Sequence, residues 1–430
     1  MIELLFTMLL GIISGIMAGL LPGIPVFLGF MLFLPFVPVD PLMIVIYGIV
    51  MNIGTQFFGS MSALYFKVPG ESSSFPILLE LKNFNTPEKI HHAIKLTTLG
   101  SLIATTIAAL GIWLSLYTNI FSKIYMPLWL KLSIFIFLLI LSIIHDRKYL
   151  INFLMLLTCL FFVFYAEIIV YINSFTSQQA SSILPIYYFN SMLTLIILFV
   201  FQLIWAKPIK LQQATESKKS SYPVIDSVPS MIKYSFVGTI LGFIPQLGAT
   251  ISSYVSYNWE KFKKRDSYKR ITASETANNS AIISCWFPLL LMGVPITASE
   301  LLLVQHLNKF GFNFGFLKSL DAQLILLAAM LVAGIIYYML SVMVNHKMYN
   351  ILGKLITRKW FSIILAFSSI TIFYFIDRHS LNFILIHLLM FVPLSWLINK
   401  LEINMLAIVI GLLLIKDILF TFQQVIQIYF

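Results

Sequence analysis

Gly15-Ile16-Met17-Ala18-Gly19-Leu20-Leu21-Pro22-Gly23-Ile24-Pro25 places three glycines and two prolines inside an otherwise apolar segment. Each proline removes a backbone donor and clashes with the preceding turn. Glycine lets the chain turn and lets another group come close. A second break, Gly242-Phe243-Ile244-Pro245-Gln246-Leu247, repeats Gly19-Leu20-Leu21-Pro22-Gly23-Ile24 at an offset of 223 residues. Asn52 and Asn278 follow at an offset of 226, and so do Val68-Pro69 and Val294-Pro295. Asn52 precedes Pro69 by 17 residues, and Asn278 precedes Pro295 by the same 17. Three anchors in one order predict an internal repeat: residues 1–206 form the first half, 207–229 a cytoplasmic linker and 230–430 the second half. A single break of this kind reads equally as a kink at a helix contact. Paired breaks in two halves point to a binding site near the bilayer midplane.

The surroundings of these breaks are membrane-like. The chain is 59% hydrophobic and 10% charged, with a mean hydropathy of +0.93. Soluble domains carry about 25% charged residues, so a soluble fold could not cover its own surface. Apolar blocks lie at 3–21, 42–66, 93–120, 124–144, 149–173, 187–206, 230–246, 275–305, 321–343, 360–376, 380–399 and 402–425. A helix needs about 20 apolar residues to cross the hydrocarbon core. Short alternating barrel strands are missing from the pattern. The expected fold is an all-α polytopic membrane protein with roughly 10–13 transmembrane helices, arranged as two inverted repeats with broken or re-entrant helices at the midplane. The inversion is read from charge. No Lys or Arg precedes Lys67, and the turn at Pro38-Val39-Asp40-Pro41 is acidic, whereas its counterpart at 261–270 is strongly basic. Basic loops face the cytoplasm, so the N-terminus is expected outside, with 261–270 and the charged stretch Lys82 to Lys95 inside.

Net charge is +11. Its placement in short loops points to topology and to the anionic surface of the lipid bilayer, with no nucleic-acid partner. Cys159 and Cys285 both lie in apolar blocks and suggest neither disulfide nor metal site. His306, His346 and His387 lack metal-ligand spacing. There is no Walker A sequence, nucleophile elbow or zinc-protease motif, so the chain is expected to be no enzyme and to hold no cofactor.

Hydroxyl-rich stretches follow each Val-Pro: Ser72-Ser73-Ser74 in one half, Thr297 and Ser299 in the other. They read as caps of new helical segments. Free N–H groups at a helix start can also hold a carboxylate without a buried Arg. Ser72, Ser73, Thr297 and Ser299, with backbone N–H groups near Gly23, Gly70 and Gly248, are therefore the expected carboxylate contacts, joined by Asn279. Asn52 and Asn278 are the expected cation contacts, because an amide carbonyl can coordinate a cation. The plainer reading of each Asn is an interhelical hydrogen bond. Lys67, Glu71, Glu275 and Glu300 flank these motifs. Lys416-Asp417 sit in the last apolar block outside the repeat.

These motifs resemble the large membrane subunit of the tripartite tricarboxylate transporters, the TctA family. Gly19-Leu20-Leu21-Pro22-Gly23-Ile24 resembles the family's Gly-x-Leu-Pro-Gly element. Gln56-Phe57-Phe58-Gly59-Ser60 and Val68-Pro69-Gly70-Glu71-Ser72-Ser73 resemble its Tyr-Gly-Gly-Ser and Ile-Pro-Gly-Glu segments. Gly248-Ala249-Thr250-Ile251-Ser252-Ser253-Tyr254 and Trp259-Glu260-Lys261 follow the family pattern. Ser274-Glu275-Thr276-Ala277-Asn278-Asn279-Ser280-Ala281 resembles its Pro-Glu-Ala-Ala-Asn-Asn-Ala-Ala signature. Phe287-Pro288-Leu289-Leu290 and Gly293-Val294-Pro295 complete the match over about 15–105 and 233–305. The chain departs at Gln246 and Ile296, where the family has glycine, at Ser274, where it has proline, and at Lys82-Asn83-Phe84-Asn85. The resemblance implies a bacterial inner-membrane carrier of di- or tricarboxylates, driven by Na+ or H+. Its implied partners are a small membrane subunit and a periplasmic solute-binding protein. A passive channel and a divergent, non-transporting homologue are the alternatives, and a membrane-embedded enzyme built around Glu275 ranks below them.

Overall fold

The computed structural model describes residues 2–20, 26–66, 72–84, 86–118, 127–144, 148–174, 193–195, 197–198, 201, 225–245, 247–312, 314–344, 363, 368, 371, 381–401, 403 and 405–429. The described residues are helical and contain no strand. The helices are α1 (Ile2–Leu20), α2 (Val26–Phe33), α3 (Pro41–Phe66), α4 (Phe75–Glu80), α5 (Pro87–Tyr117), α6 (Leu128–Ile144), α7 (Tyr149–Ser174) and α8 (Val228–Leu241). They continue with α9 (Gly248–Phe262), α10 (Ser267–Ser284), α11 (Trp286–Met292), α12 (Ala298–Lys309), α13 (Leu320–Met343), α14 (Leu381–Lys400) and α15 (Met405–Tyr429). Four of them, in α1, α3, α5 and α13, are long and apolar enough to cross a membrane. The pair α6 and α7 makes a fifth if counted as one bent span.

The helix bounds follow the offset found in the sequence. Pro41 and Ser267, which open α3 and α10, lie 226 residues apart. Phe66 and Met292, which close α3 and α11, do too, and so do Tyr117 and Met343 at the ends of α5 and α13. The apolar block at 275–305 is not one crossing. Its helix starts earlier, at Ser267, bends at Cys285 and stops at Gly293, whose φ of +67° suits a residue without Cβ. Val294-Pro295 then leads into α12.

The chain forms two compact units, and each draws on both sequence halves. One comprises Met1–Ile124, Ile209–Leu303 and Asn313–Ile356. The other comprises Tyr125–Pro208, Val304–Phe312 and Thr357–Phe430. Most of the linker at 207–229, from 207 to 224, lies outside the described residues, and so do the prolines of the first break.

In the first unit, α1 lies along α3 on a stripe of Gly11, Gly15 and Gly19, one helical turn apart. A Cβ on Gly15 would stand 2.8 Å from the Met51 carbonyl oxygen, and one on Gly19 2.9 Å from that of Thr55. Lipid provides little hydrophobic drive between helices, so close backbone contact through small residues supplies the attraction. Tyr337 of α13 is fully buried and fastens the pair. Its hydroxyl lies 3.0 Å from both the Gly11 and the Val50 carbonyl oxygens. In the second unit, α15 packs on α6 and α7, with Gly411 against Leu156. Lys148 donates to the Leu401 carbonyl at 2.7 Å. Lys416 and Asp417 lie in α15, but their side chains fall outside the described residues.

Gly15→Leu should force α1 off α3, since the added carbons meet the fully buried Tyr337 hydroxyl and the backbone of α3 at Met51 and Gly54. The expected result is loss of a monodisperse detergent-solubilised peak in size-exclusion chromatography. Tyr337→Phe should keep the peak and lower the melting temperature, by roughly 1 kcal/mol of stability.

Candidate functional site

The site grows from α10, in the first unit. By composition Ser267–Ser284 is a surface helix: Lys269 and Arg270 lie near its start, and Ser, Thr, Glu and Asn follow. Asp266 caps it, its carboxylate accepting from the Lys269 N–H at 3.0 Å. Yet every residue from Ile271 to Ala281 is buried. A buried polar group is costly unless it is hydrogen-bonded, and each face of α10 meets a polar neighbour.

Toward α3, the Ser60 hydroxyl donates to the Glu275 carboxylate. The Asn278 amide donates to the Gln56 carbonyl oxygen and to that of Asn279, both at 3.4 Å. Toward α5, the Asn279 amide donates to the Ser101 hydroxyl, and Thr276 fits against Gly100, where a Cβ would collide with it. Toward α9, Ser274 and Ser253 share a hydrogen bond of 2.7 Å, and the Ser252 hydroxyl donates to the Ala277 carbonyl at 3.2 Å. Toward α8, Ser280 donates to the Ser235 carbonyl at 2.7 Å and pairs with Thr239 at 2.8 Å. Asn278 Oδ1 is buried and has no hydrogen-bond partner among the described residues, and the same holds for the Thr272 and Thr276 hydroxyls of this helix.

The residues expected from sequence fall into three groups. Asn278 and Asn279 lie at the centre of this cluster. Asn52 is also buried and sits one turn before Gln56 on α3, while its own carbonyl accepts from Thr55 at 2.7 Å. Ser73 joins through its backbone: its carbonyl accepts from the Ser253 hydroxyl, which docks the Ser72–Ser74 turn on α9 beside Ser274. Gly248 opens α9 with its N–H already donated to the Ile244 carbonyl at 3.0 Å. It is pressed so closely on Leu241 and Gly242 that no Cβ fits. Thr297 and Ser299 stand at the start of α12. There the Thr297 hydroxyl accepts from the Glu300 N–H at 3.3 Å. The Glu300 carboxylate accepts from the N–H groups of Ile296 and Thr297 at 2.7 and 3.2 Å. This is a capping box, and its signal was present in Thr297-Ala298-Ser299-Glu300. Gly23, Gly70, Lys67 and Glu71 lie outside the described residues, as does the side chain of Ser72.

A second cluster escaped the sequence reading. Glu80, at the end of α4, is buried and accepts from Tyr257 at 2.8 Å, Ser267 at 2.6 Å, Arg270 at 2.9 Å and Asn83 at 2.8 Å. Burial alone would raise its pKa. The bonds from Ser267, Arg270, Tyr257 and Asn83 outweigh that and bring it down to about 2. Tyr268 stacks edge-on against Phe84 and His92, at 5.1 Å from each. The stretch 80–92 and the stretch 263–270 therefore meet. Nothing in the sequence spacing of Glu80 and Arg270 signals this, because the partners are 190 residues apart.

Among the described residues the buried charged side chains of Asp, Glu, Lys and Arg are Glu80, Glu260, Glu275 and Glu300, with no Lys or Arg. An anion in this core would be held by N–H and hydroxyl donors.

Because the folded pKa of Glu80 is depressed, its contribution is present above about pH 4.5 and is lost as pH falls toward about 2. Glu80→Gln should cost on the order of 2 kcal/mol at pH 6, with Arg270 partly solvent-screened. Melting temperatures in detergent should show the gap between wild type and variant closing between pH 4.5 and pH 2.

The family model described as the tripartite tricarboxylate transporter TctA family matches residues 5–410. No curated relative and no solved structure matches the chain.

Proposed function

The chain belongs to the tripartite tricarboxylate transporter TctA family, and from that premise we propose that it is the large subunit of a secondary carrier for di- or tricarboxylates in the bacterial inner membrane. A small membrane subunit and a periplasmic solute-binding protein complete the carrier, the latter delivering substrate from outside. The chain does no covalent chemistry of its own.

The observation that carries this reading is the buried face of α10 against α3. Glu275, Asn278 and Asn279 converge there with Gln56 and Ser60, and Asn278 Oδ1 is left without a hydrogen-bond partner. An unmet buried acceptor in a membrane bundle is costly, and such groups mark ion and substrate paths. The coupling cation is Na+ or H+, and the carbonyl oxygens of Asn278 and Asn52 would coordinate Na+. Asn279, Ser72, Ser73, Thr297 and Ser299, with backbone N–H groups near Gly23 and Gly70, would offer donors to the cargo, whereas the Gly248 N–H is already taken by Ile244.

The charge balance supports coupling. Glu275 already places a carboxylate in the core. A multiply charged anion entering beside it raises an electrostatic cost that falls steeply when a cation enters too. The matched bounds of α3 with α10–α11, and the matched C-terminal ends of α5 and α13, support a repeat. In the proposed cycle the two repeats are inverted, and one part of the bundle moves against the other to expose the site alternately.

The test is uptake of labelled citrate in proteoliposomes holding the whole carrier with its binding protein. Asn278→Ala combined with Asn279→Ala should lower uptake at least tenfold while the amount of inserted protein stays unchanged. Unchanged uptake in that variant would remove the site. Wild-type accumulation that stops at the external concentration would indicate a channel instead of a coupled carrier.

A further inference from the structure

The start of α12 is an anion site whose occupant is part of the chain. The Glu300 side chain is fully buried. One carboxylate oxygen, Oε2, takes the N–H groups of Ile296 and Thr297, at 2.7 and 3.2 Å. These are the free N–H groups that a helix start would otherwise turn toward an incoming acid. The other oxygen, Oε1, has no hydrogen-bond partner among the described residues. No Lys, Arg or His makes an ion pair with Glu300 there.

The surroundings are nearly charge-free. Cys285, at the bend between α10 and α11, is the titratable group beside the carboxyl, and its thiol donates to the Ile282 carbonyl at 2.8 Å. On the apolar side, Leu303 of α12, Phe30 of α2 and Trp286 of α11 all close on Gly48 of α3. Tyr47, next to Gly48, turns its hydroxyl toward the Gly29 and Phe30 carbonyls. The repeat offset of 226 maps Glu300 on Ser74, which caps α4 without a side-chain hydrogen bond. The matching position of the first half thus carries no carboxylate.

We propose that Glu300 is the proton-binding residue of the transport cycle, competing with the cargo for the N–H groups of Ile296 and Thr297. As a carboxylate it keeps them. A proton arriving from solution attaches at Oε1, the oxygen that does not hold the two N–H groups. The neutral carboxyl is a weaker acceptor than the carboxylate, by about half. The two N–H groups then pass to a cargo carboxylate, so the start of α12 holds one negative charge before and after the exchange. Cargo and proton enter together, and the coupling ion is H+. This rests on the carboxylate-carrier reading above.

The test uses the full chain in nanodiscs, with citrate as the probe and Glu300→Gln as the neutral variant that keeps the volume. The ionisation of citrate is common to both proteins. The wild-type Kd, divided by that of the variant, should rise about tenfold per pH unit above the titration point of Glu300. A ratio constant with pH overturns the proposal. Backbone amide exchange at Ile296 and Thr297 reports on the same switch without cargo. After correction for intrinsic rates, wild-type protection should drop as pH falls from about 8 to about 5 while the variant stays flat. Protection independent of pH in the wild type also overturns it. If citrate binds neither protein at any pH, the carrier reading fails, and the amide exchange alone decides whether Glu300 takes the proton.

Discussion

Everything in the first unit answers to one constraint: a polar helix has to be buried in a membrane protein. Residues 271–281 of α10 have no access to solvent, and seven consecutive residues among them, Ser274–Ser280, include six polar side chains. In hydrocarbon such a helix would be expelled. It stays because α3, α5, α8 and α9 each present it with hydroxyl, amide or carbonyl partners. Those helices are in turn amphipathic inward: α5 carries Thr97, Ser101 and Thr105 on one stripe, and α9 carries Ser252, Ser253 and Ser256. The usual pattern of a soluble protein is thereby reversed, with polar stripes meeting inside and apolar faces outside.

Small residues make that reversal possible. Hydroxyl-to-carbonyl bonds between helices need the backbones close, and Gly100, Gly238 and Gly242 remove the side chains that would keep α5 and α8 away from α10. The same device joins α1 to α3. A core held by short polar bonds and close backbones is specific, since a misplaced helix leaves donors unpaired.

The two carboxylates that matter most are held in opposite ways. Glu80 has four donors, one of them the guanidinium of Arg270, and is a fixed charge at the junction of two loops. Glu300 has two backbone N–H groups, an apolar surround and one bare oxygen. Only the second can gain a proton without losing an ion pair. Position along the chain says nothing of this difference; partner count and solvent access decide it.

Composition and periodicity alone fixed the all-helical membrane class, because a chain with so few charges has no other way to satisfy its backbone in lipid. The paired breaks and the Asn52 and Asn278 anchors predicted a repeat at an offset of 226, and the matched ends of α3 and α10–α11 follow that offset. The Glu-x-x-Asn-Asn run of α10 was legible as a site candidate because charge and amide groups are expensive in an apolar chain. What the sequence did not disclose is which donors are spent. The Thr297–Glu300 capping box was legible from its spacing, but Gly248 reads as an open amide until Ile244 takes it. Gln56, Ser60, Ser101 and Arg270 acquired roles only through partners about 180 to 220 residues away. Hydrogen bonding at such separation depends on which helix faces meet, and that is settled by packing the whole bundle at once.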